Sequence, residues 1–295
     1  MPQKWTGKSL GSPFFQGLLR FFVKYGGRSA AYFIAYFVAA FYALLPVVRK
    51  SAVHYIVRRF PKSAKAARLL HLYRLNLEFG KILIDRAALG ITGSVDIISS
   101  QKDKDICAEL AAKGKGLIII TAHCGCWQTA MSCFDFIDGD KYVVYRKSEK
   151  DVDKHVHELS GKKAPVNFID PAGYAGGAVE IIAALSKKGI VCMMGDRTFG
   201  SAENKVAVDF FGGKIETPYS IYRIAGATGA PVAVIFFPRG GAGKVDSVVA
   251  GVFYVEDKGQ KAANYLAQAQ KFAKALEDFC IKYPYQFFNY FDMWS

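Results

Sequence analysis

Carboxylates are scarce in this chain: 25 Asp and Glu stand against 39 Lys and Arg in 295 residues, a formal charge of +14. The imbalance calls for an anionic partner, whether a nucleic acid, an acidic membrane face or an acidic carrier protein. A disulfide framework is missing. Cys107, Cys124, Cys126, Cys133, Cys192 and Cys280 show no paired spacing and several lie in apolar contexts, which points to reduced thiols in a cytosol-facing protein. Cys124 and Cys126 flank no second pair, so no metal site is expected, and small buried thiols are the default over a cysteine nucleophile. The glycines at 173–177 and 240–243 match neither a P-loop nor a dinucleotide fingerprint. No RNA- or DNA-binding motif accompanies the charge, which leaves nucleic acid as an unexpected partner. Internal repeats, low-complexity linkers and a second domain of different composition are absent as well.

Apolar residues are plentiful. They make up 52% of the chain, and aromatics, led by 23 Phe and 16 Tyr, reach 14%. That is enough to build one large α/β domain or two small ones. Residues 1–28 are basic and aromatic, and residues 29–48 carry no charge. The uncharged run has about the length of a bilayer core. It starts too late for a signal peptide and no small-x-small site follows it. Lys24 and Arg28 before it and Arg49, Lys50, Arg58 and Arg59 after it are basic on both flanks, and basic flanks prefer the cytoplasm. This favours a helix dipping into or lying along the inner leaflet over a single span. A buried core helix fits the tyrosines less well. Residues 1–50 are therefore read as a membrane-anchoring segment, and 51–295 as the main domain.

Residues 51–90 look helical, interrupted at Pro61 and closed by Gly90, and a short helix covers 105–115. From 117 onward strands alternate with helices. Strands are expected at 117–122, 141–145, 165–169, 190–194, 206–210, 232–237 and 247–254. Helices are expected at 127–136, 150–160, 175–187, 218–228 and 264–283. The stretch Arg239 to Lys244 reads as a hairpin-like turn. The pattern predicts an α/β fold with a mixed, largely parallel sheet flanked by helices. His54, His71, His155 and His157 lie in helical stretches and are read as packing or surface residues.

Leu117-Ile-Ile-Ile-Thr121 is a short buried strand that runs into His123 and Gly125. A strand ending at a small-residue turn with a histidine at its mouth is where open α/β sheets place their chemistry. His123 and Gln128 are five apart, close enough to meet across a turn into a helix, so that Gln128 holds one ring nitrogen while the other acts as base. A satisfied core histidine is the competing reading.

His123-Cys-Gly-Cys-Trp-Gln128 resembles the His-x4-Asp/Glu signature of the bacterial late acyltransferases of lipid A biosynthesis, within the lysophospholipid acyltransferase superfamily. Other blocks follow in that family's order: Tyr145-Arg146, Gly189 with Met193-Met-Gly-Asp-Arg197, Phe210-Phe-Gly212, Arg223-Ile-Ala225 with Thr228-Gly-Ala-Pro231, and Tyr283-Pro284 through Trp294. Each is weak alone, but the ordered set spans essentially the whole chain. The resemblance implies a glycerol-3-phosphate-acyltransferase-like fold. It also implies transfer of a fatty acyl group from acyl carrier protein or coenzyme A, used as co-substrate without a further cofactor, to a lipid acceptor at the inner membrane. His123 would be the general base and position 128 its orienter. Trp127, Arg146, Asp196 and Arg197 would bind substrate, with Arg146 on the acceptor phosphate or acyl carbonyl. A strand-end salt bridge is the plainer role for Arg146, and mutual ion pairing for Asp196 and Arg197.

Three positions depart from the family pattern: Gln128 replaces its carboxylate, Cys126 its Asn, and Arg197 its usual Gln. An amide can fix a histidine tautomer but adds no charge to stabilise imidazolium. Another carboxylate must then serve, with Asp196 indicated by its strand-end position. Otherwise the acceptor is a more acidic nucleophile, or the enzyme is slow, or the chain has become a non-catalytic acyl- or lipid-binding relative.

Overall fold

The computed structural model describes residues 13–93, 95–131, 137–145, 166–198, 204–259 and 261–294. Three helices lead: α1 (Pro13–Leu44), α2 (Pro46–Arg59) and α3 (Lys65–Thr92). Strand β1 (Asp96–Ser99) and helix α4 (Gln101–Ala112) follow, then β2 (Leu117–Thr121), α5 (Trp127–Met131), β3 (Lys141–Val144) and β4 (Asn167–Ile169). The second half holds α6 (Ala178–Ser186), β5 (Ile190–Met194), a hairpin β6 (Val206–Phe210) and β7 (Gly213–Thr217), and α7 (Ser220–Thr228). It closes with β8 (Val232–Phe236), β9 (Arg239–Gly241), β10 (Lys244–Phe253) and α8 (Leu266–Lys282).

The main sheet runs β1-β10-β8-β2-β5-β3-β4, with β9 paired to β10. Strands β8, β2, β5, β3 and β4 are parallel, and β10 is antiparallel to β8. The expected mixed, largely parallel sheet is what forms. Its centre is β2, in which every residue is buried. Four consecutive large aliphatic residues can be buried only where both sheet faces are covered, and each contributes about 1.5–3 kcal/mol of burial.

The differences from expectation have local causes. The helix after Pro61 passes through Gly90 and ends at Gly93, whose φ of 70° supplies the left-handed cap. Helix α4 starts earlier than expected, because the Ser100 hydroxyl accepts from the Asp103 amide and caps it. Strands β1, β7 and β9 were not expected; all three are short and partly exposed, so they carry little apolar signal. The hairpin-like turn at 239–244 does join two antiparallel strands. Of the helix expected at 127–136, Trp127–Met131 is helical and the remainder lies outside the described residues, as do the helix at 150–160, Arg146, His155 and His157.

Candidate active site

The site grows from the parallel pairing of β2 with β5. Their register runs from Leu117 opposite Ile190 to Thr121 opposite Met194. Two residues further along each strand come His123 and Asp196. The same register therefore brings them side by side beyond the carboxyl ends of the two strands, the usual ligand crevice of such sheets. The His123 Nδ1 lies 2.9 Å from Asp196 Oδ1 and 3.1 Å from Oδ2. Asp196 is 1% exposed and the imidazole 17% exposed. A carboxylate so deeply buried accepts, so Nδ1 carries the proton and Nε2 is the ring's basic nitrogen.

Gln128 does not take the position that spacing suggested. Its Oε1 accepts a hydrogen bond from Arg86 of α3, while the Nδ1 of His123 goes to Asp196. Trp127 stands edge-on to the imidazole, with ring centroids 5.2 Å apart and planes at 69°. Arg197 Nε is 3.6 Å from Asp196 Oδ2, and its Nη2 donates to the Phe288 carbonyl at 3.0 Å. The structure thus brings His123, Trp127, Asp196 and Arg197 together and puts Gln128 on the α3 side.

Electrostatics set the protonation of the pair. Burial is the largest influence on His123 and pushes the imidazole below its ordinary value; Arg197 pushes the same way, and Asp196 partly opposes both. For Asp196, burial favours the neutral acid, but His123 and Arg197 together outweigh it and hold the carboxyl below its ordinary range. Near neutral pH the pair is a neutral imidazole beside a carboxylate. Burial raises the Cys124 and Cys126 thiols, which keeps both in the protonated form near neutral pH.

The backbone of the turn is fixed from two sides. Gly125 has a φ of 56°, and a β-carbon there would lie 2.2 Å from the Phe237 carbonyl oxygen. Only glycine fits. The Cys126 amide donates to that same carbonyl at 2.7 Å. On the other side, the C-terminal residues run past the turn as a strap. The Gly125 amide donates to the Gln286 carbonyl at 2.7 Å, and the Phe288 amide to the His123 carbonyl at 3.0 Å. Gln286 in turn accepts from the Arg239 amide at 2.8 Å and donates to the Arg239 carbonyl at 3.2 Å. The aromatic C-terminal block of the sequence is therefore a splint for the histidine turn.

A family model described as bacterial lipid A biosynthesis acyltransferase matches residues 19–294. The chain belongs to that family. Among curated proteins none matches it. This acyltransferase carries His123 just beyond the end of the central strand, and the carboxylate beside it, Asp196, comes from just beyond the neighbouring strand. The sequence signal that points to Asp196 is the equal spacing of the two residues beyond their strands, and it can be used only once the two strands are known to pair in register. Gln286 and Arg86, which brace the site, had no such signal, because their partners are distant in sequence.

Proposed function

We propose that the protein transfers a fatty acyl group from an acyl thioester, on acyl carrier protein or coenzyme A, to a hydroxyl or amine of a lipid or glycolipid acceptor. The transfer would take place at the cytoplasmic face of the inner membrane. His123 is the general base. Its Nε2 takes the proton of the acceptor group as that group attacks the thioester carbonyl. The tetrahedral intermediate then expels the thiolate, and the imidazolium returns the proton to sulfur. Asp196 holds the tautomer and stabilises the imidazolium while it lasts. Arg197, buried beside the pair, steadies the Asp196 carboxylate, and Trp127 walls one side of the ring. Arg146 is assigned to the acceptor phosphate or the acyl carbonyl on the family pattern alone.

The observation that carries this reading is the 2.9 Å contact between His123 Nδ1 and Asp196 Oδ1. It supplies the negative partner that Gln128 lacks. The direct experiment is transfer of a radiolabelled acyl chain from acyl carrier protein in isolated membranes. His123→Ala should abolish transfer with the protein still folded, and unchanged transfer would reject His123 as the base. The amide at 128 favours the rival reading of a weakened lipid-binding relative. Gln128→Glu separates the two: a marked gain in turnover would identify a degraded site, whereas no gain is expected if Asp196 already fills the role.

A further inference from the structure

Acyl transfer as proposed above leaves one charge without a partner. When the acceptor attacks the thioester, the carbonyl oxygen becomes an oxyanion. In a site shielded from water that oxygen needs a fixed hydrogen-bond donor. The polar groups already described serve the protein itself. His123 Nδ1 donates to Asp196, and Arg197 is engaged by Asp196 and by the Phe288 carbonyl. Gln128 accepts from Arg86 on the α3 side.

The strap that braces the histidine turn carries a group of a different kind. Asn289 is 1% exposed. Among the described residues it is the one side chain with two buried polar atoms, Nδ2 and Oδ1, that both lack a hydrogen-bond partner. A buried amide is ordinarily bonded, because each end left unpaired costs free energy. Gln286, three residues earlier on the same strap, obeys that rule, with both ends of its amide on the backbone of Arg239. The Tyr290 hydroxyl obeys it too and donates to Asn76 Oδ1 at 3.0 Å. Asn289 departs from the rule where the strap passes the catalytic pair.

Its neighbours fix its place. The Phe288 amide donates to the His123 carbonyl at 3.0 Å, and the Phe288 carbonyl accepts from Arg197 at 3.0 Å. The residue before Asn289 is thus tied to the histidine turn and, through Arg197, to Asp196. Side chains along the strap alternate. Phe288 and Tyr290 both pack on Phe79 of α3, with ring centroids 4.9 and 6.0 Å apart. Phe287 turns the other way, onto Tyr55 and Phe210, and the Arg197 guanidinium lies 5.2 Å from the centre of the Phe291 ring. Asn289 stands between Phe287 and Phe291 on that second face, the one that Arg197 covers.

We propose that Asn289 is the oxyanion donor of the acyl-transfer site. This deepens, and rests on, the transfer reaction proposed above. The acceptor oxygen or nitrogen bonds to the thioester carbon and its proton passes to His123 Nε2. The carbonyl electron pair moves onto oxygen, which takes a hydrogen bond from Asn289 Nδ2. The pair returns as the carbon–sulfur bond breaks, and the departing thiolate collects the proton from His123. An amide held rigid by the strap and unpaired before substrate arrives needs no rearrangement to make that bond. Arg146 is then left to the acceptor phosphate.

Two measurements on the full chain test this. The first is transfer at varied donor concentration by Asn289→Ala, and by Asn289→Leu, which keeps the volume. Both should lower kcat about 10²–10³-fold with the donor KM within about threefold of the parent. Thermal unfolding identifies the variant that keeps the parent fold, and the kinetics are read on that one. A kcat within about threefold of the parent, or a loss confined to KM, would overturn the assignment. The second needs no turnover. An acyl-pantetheine analogue with a CF2 group in place of sulfur carries a ketone that hydrates to a tetrahedral carbon. Equilibrium binding of this probe to the parent should weaken at least ~10-fold in the same variant. Equal binding by both proteins, or binding by neither, would overturn the assignment. A parent that binds the probe through Asn289 yet transfers no acyl group would instead refute the reaction, so the two failures are told apart.

Discussion

A histidine alone at a strand end has no reason to be a base; what changes its chemistry is the company the fold provides. Asp196 lends His123 a negative partner in a site from which water is largely excluded, where charge interactions are strong. Asp196→Asn is expected to lower turnover about 10²–10⁴-fold, by analogy with orienting carboxylates in hydrolase triads, while leaving the protein folded. The sign of the pH effect follows from the directions of the shifts. In the proposed mechanism the working form is neutral imidazole, whose titration lies below its ordinary position of about 6.5. Rate should hold near neutrality and fall only as the medium becomes more acidic than that. Asp196 is the influence that raises the imidazole, so its loss should move the acidic limb of kcat/KM to still lower pH. An acidic limb moving upward in the variant would contradict the pairing. At this scale the sequence was half legible. His123 could be read from its motif and strand, and Asp196 was one of the alternatives open after Gln128 broke the pattern. The choice between them needed the pairing of β2 with β5, because the equal spacing of His123 and Asp196 beyond their strands becomes a signal only once those strands are known to be neighbours in register.

Elements whose apolar pattern is unbroken were easy to read, and those held by distant polar contacts were not. The central strands and α7 and α8 fall close to where periodicity put them, because burial dictates their composition. The break in α1 falls at Gly27, in the basic stretch just before the uncharged run, and it decides the direction of the helix. Gly27 adopts a conformation essentially reserved for glycine, and the space around its α-carbon is open. Gly27→Ala should therefore cost about 1–3 kcal/mol through backbone strain alone, read as a lowered midpoint in urea unfolding. The C-terminal strap is the other element that had to be seen. Gln286, 8% exposed, closes two hydrogen bonds on the backbone of Arg239. Gln286→Ala leaves those groups unpaired, at about 1–3 kcal/mol for each buried one. Thermal unfolding should register that loss, and acyl transfer should fall with it because the strap fixes the histidine turn. A variant with parent stability would show that the strap is held by its aromatic packing instead.

The molecule as a whole is two-toned, with a cationic, aromatic leading end and a nearly neutral catalytic remainder: 13 of the 39 Lys and Arg come before Glu78, the first acidic residue. Electrostatic attraction to a membrane is screened as the Debye length shrinks from about 10 Å at 0.1 M salt to about 3 Å at 1 M. Vesicle binding should weaken over that range and then level off, because the hold of the uncharged run on lipid does not depend on charge. Complete release by salt would mean that this run stays out of the lipid. The strap has one more consequence, set by the direction of protein synthesis. Residues 21–47 leave the ribosome long before residues 286–288 are made, and chains organise from the N-terminus as they emerge. The strap's hydrogen bonds to the histidine turn cannot form until residues 286–288 exist. A growing chain thus exposes its apolar first helix while the His123 turn still lacks its strap, and the turn is braced from both sides only once residues 286–288 have been made.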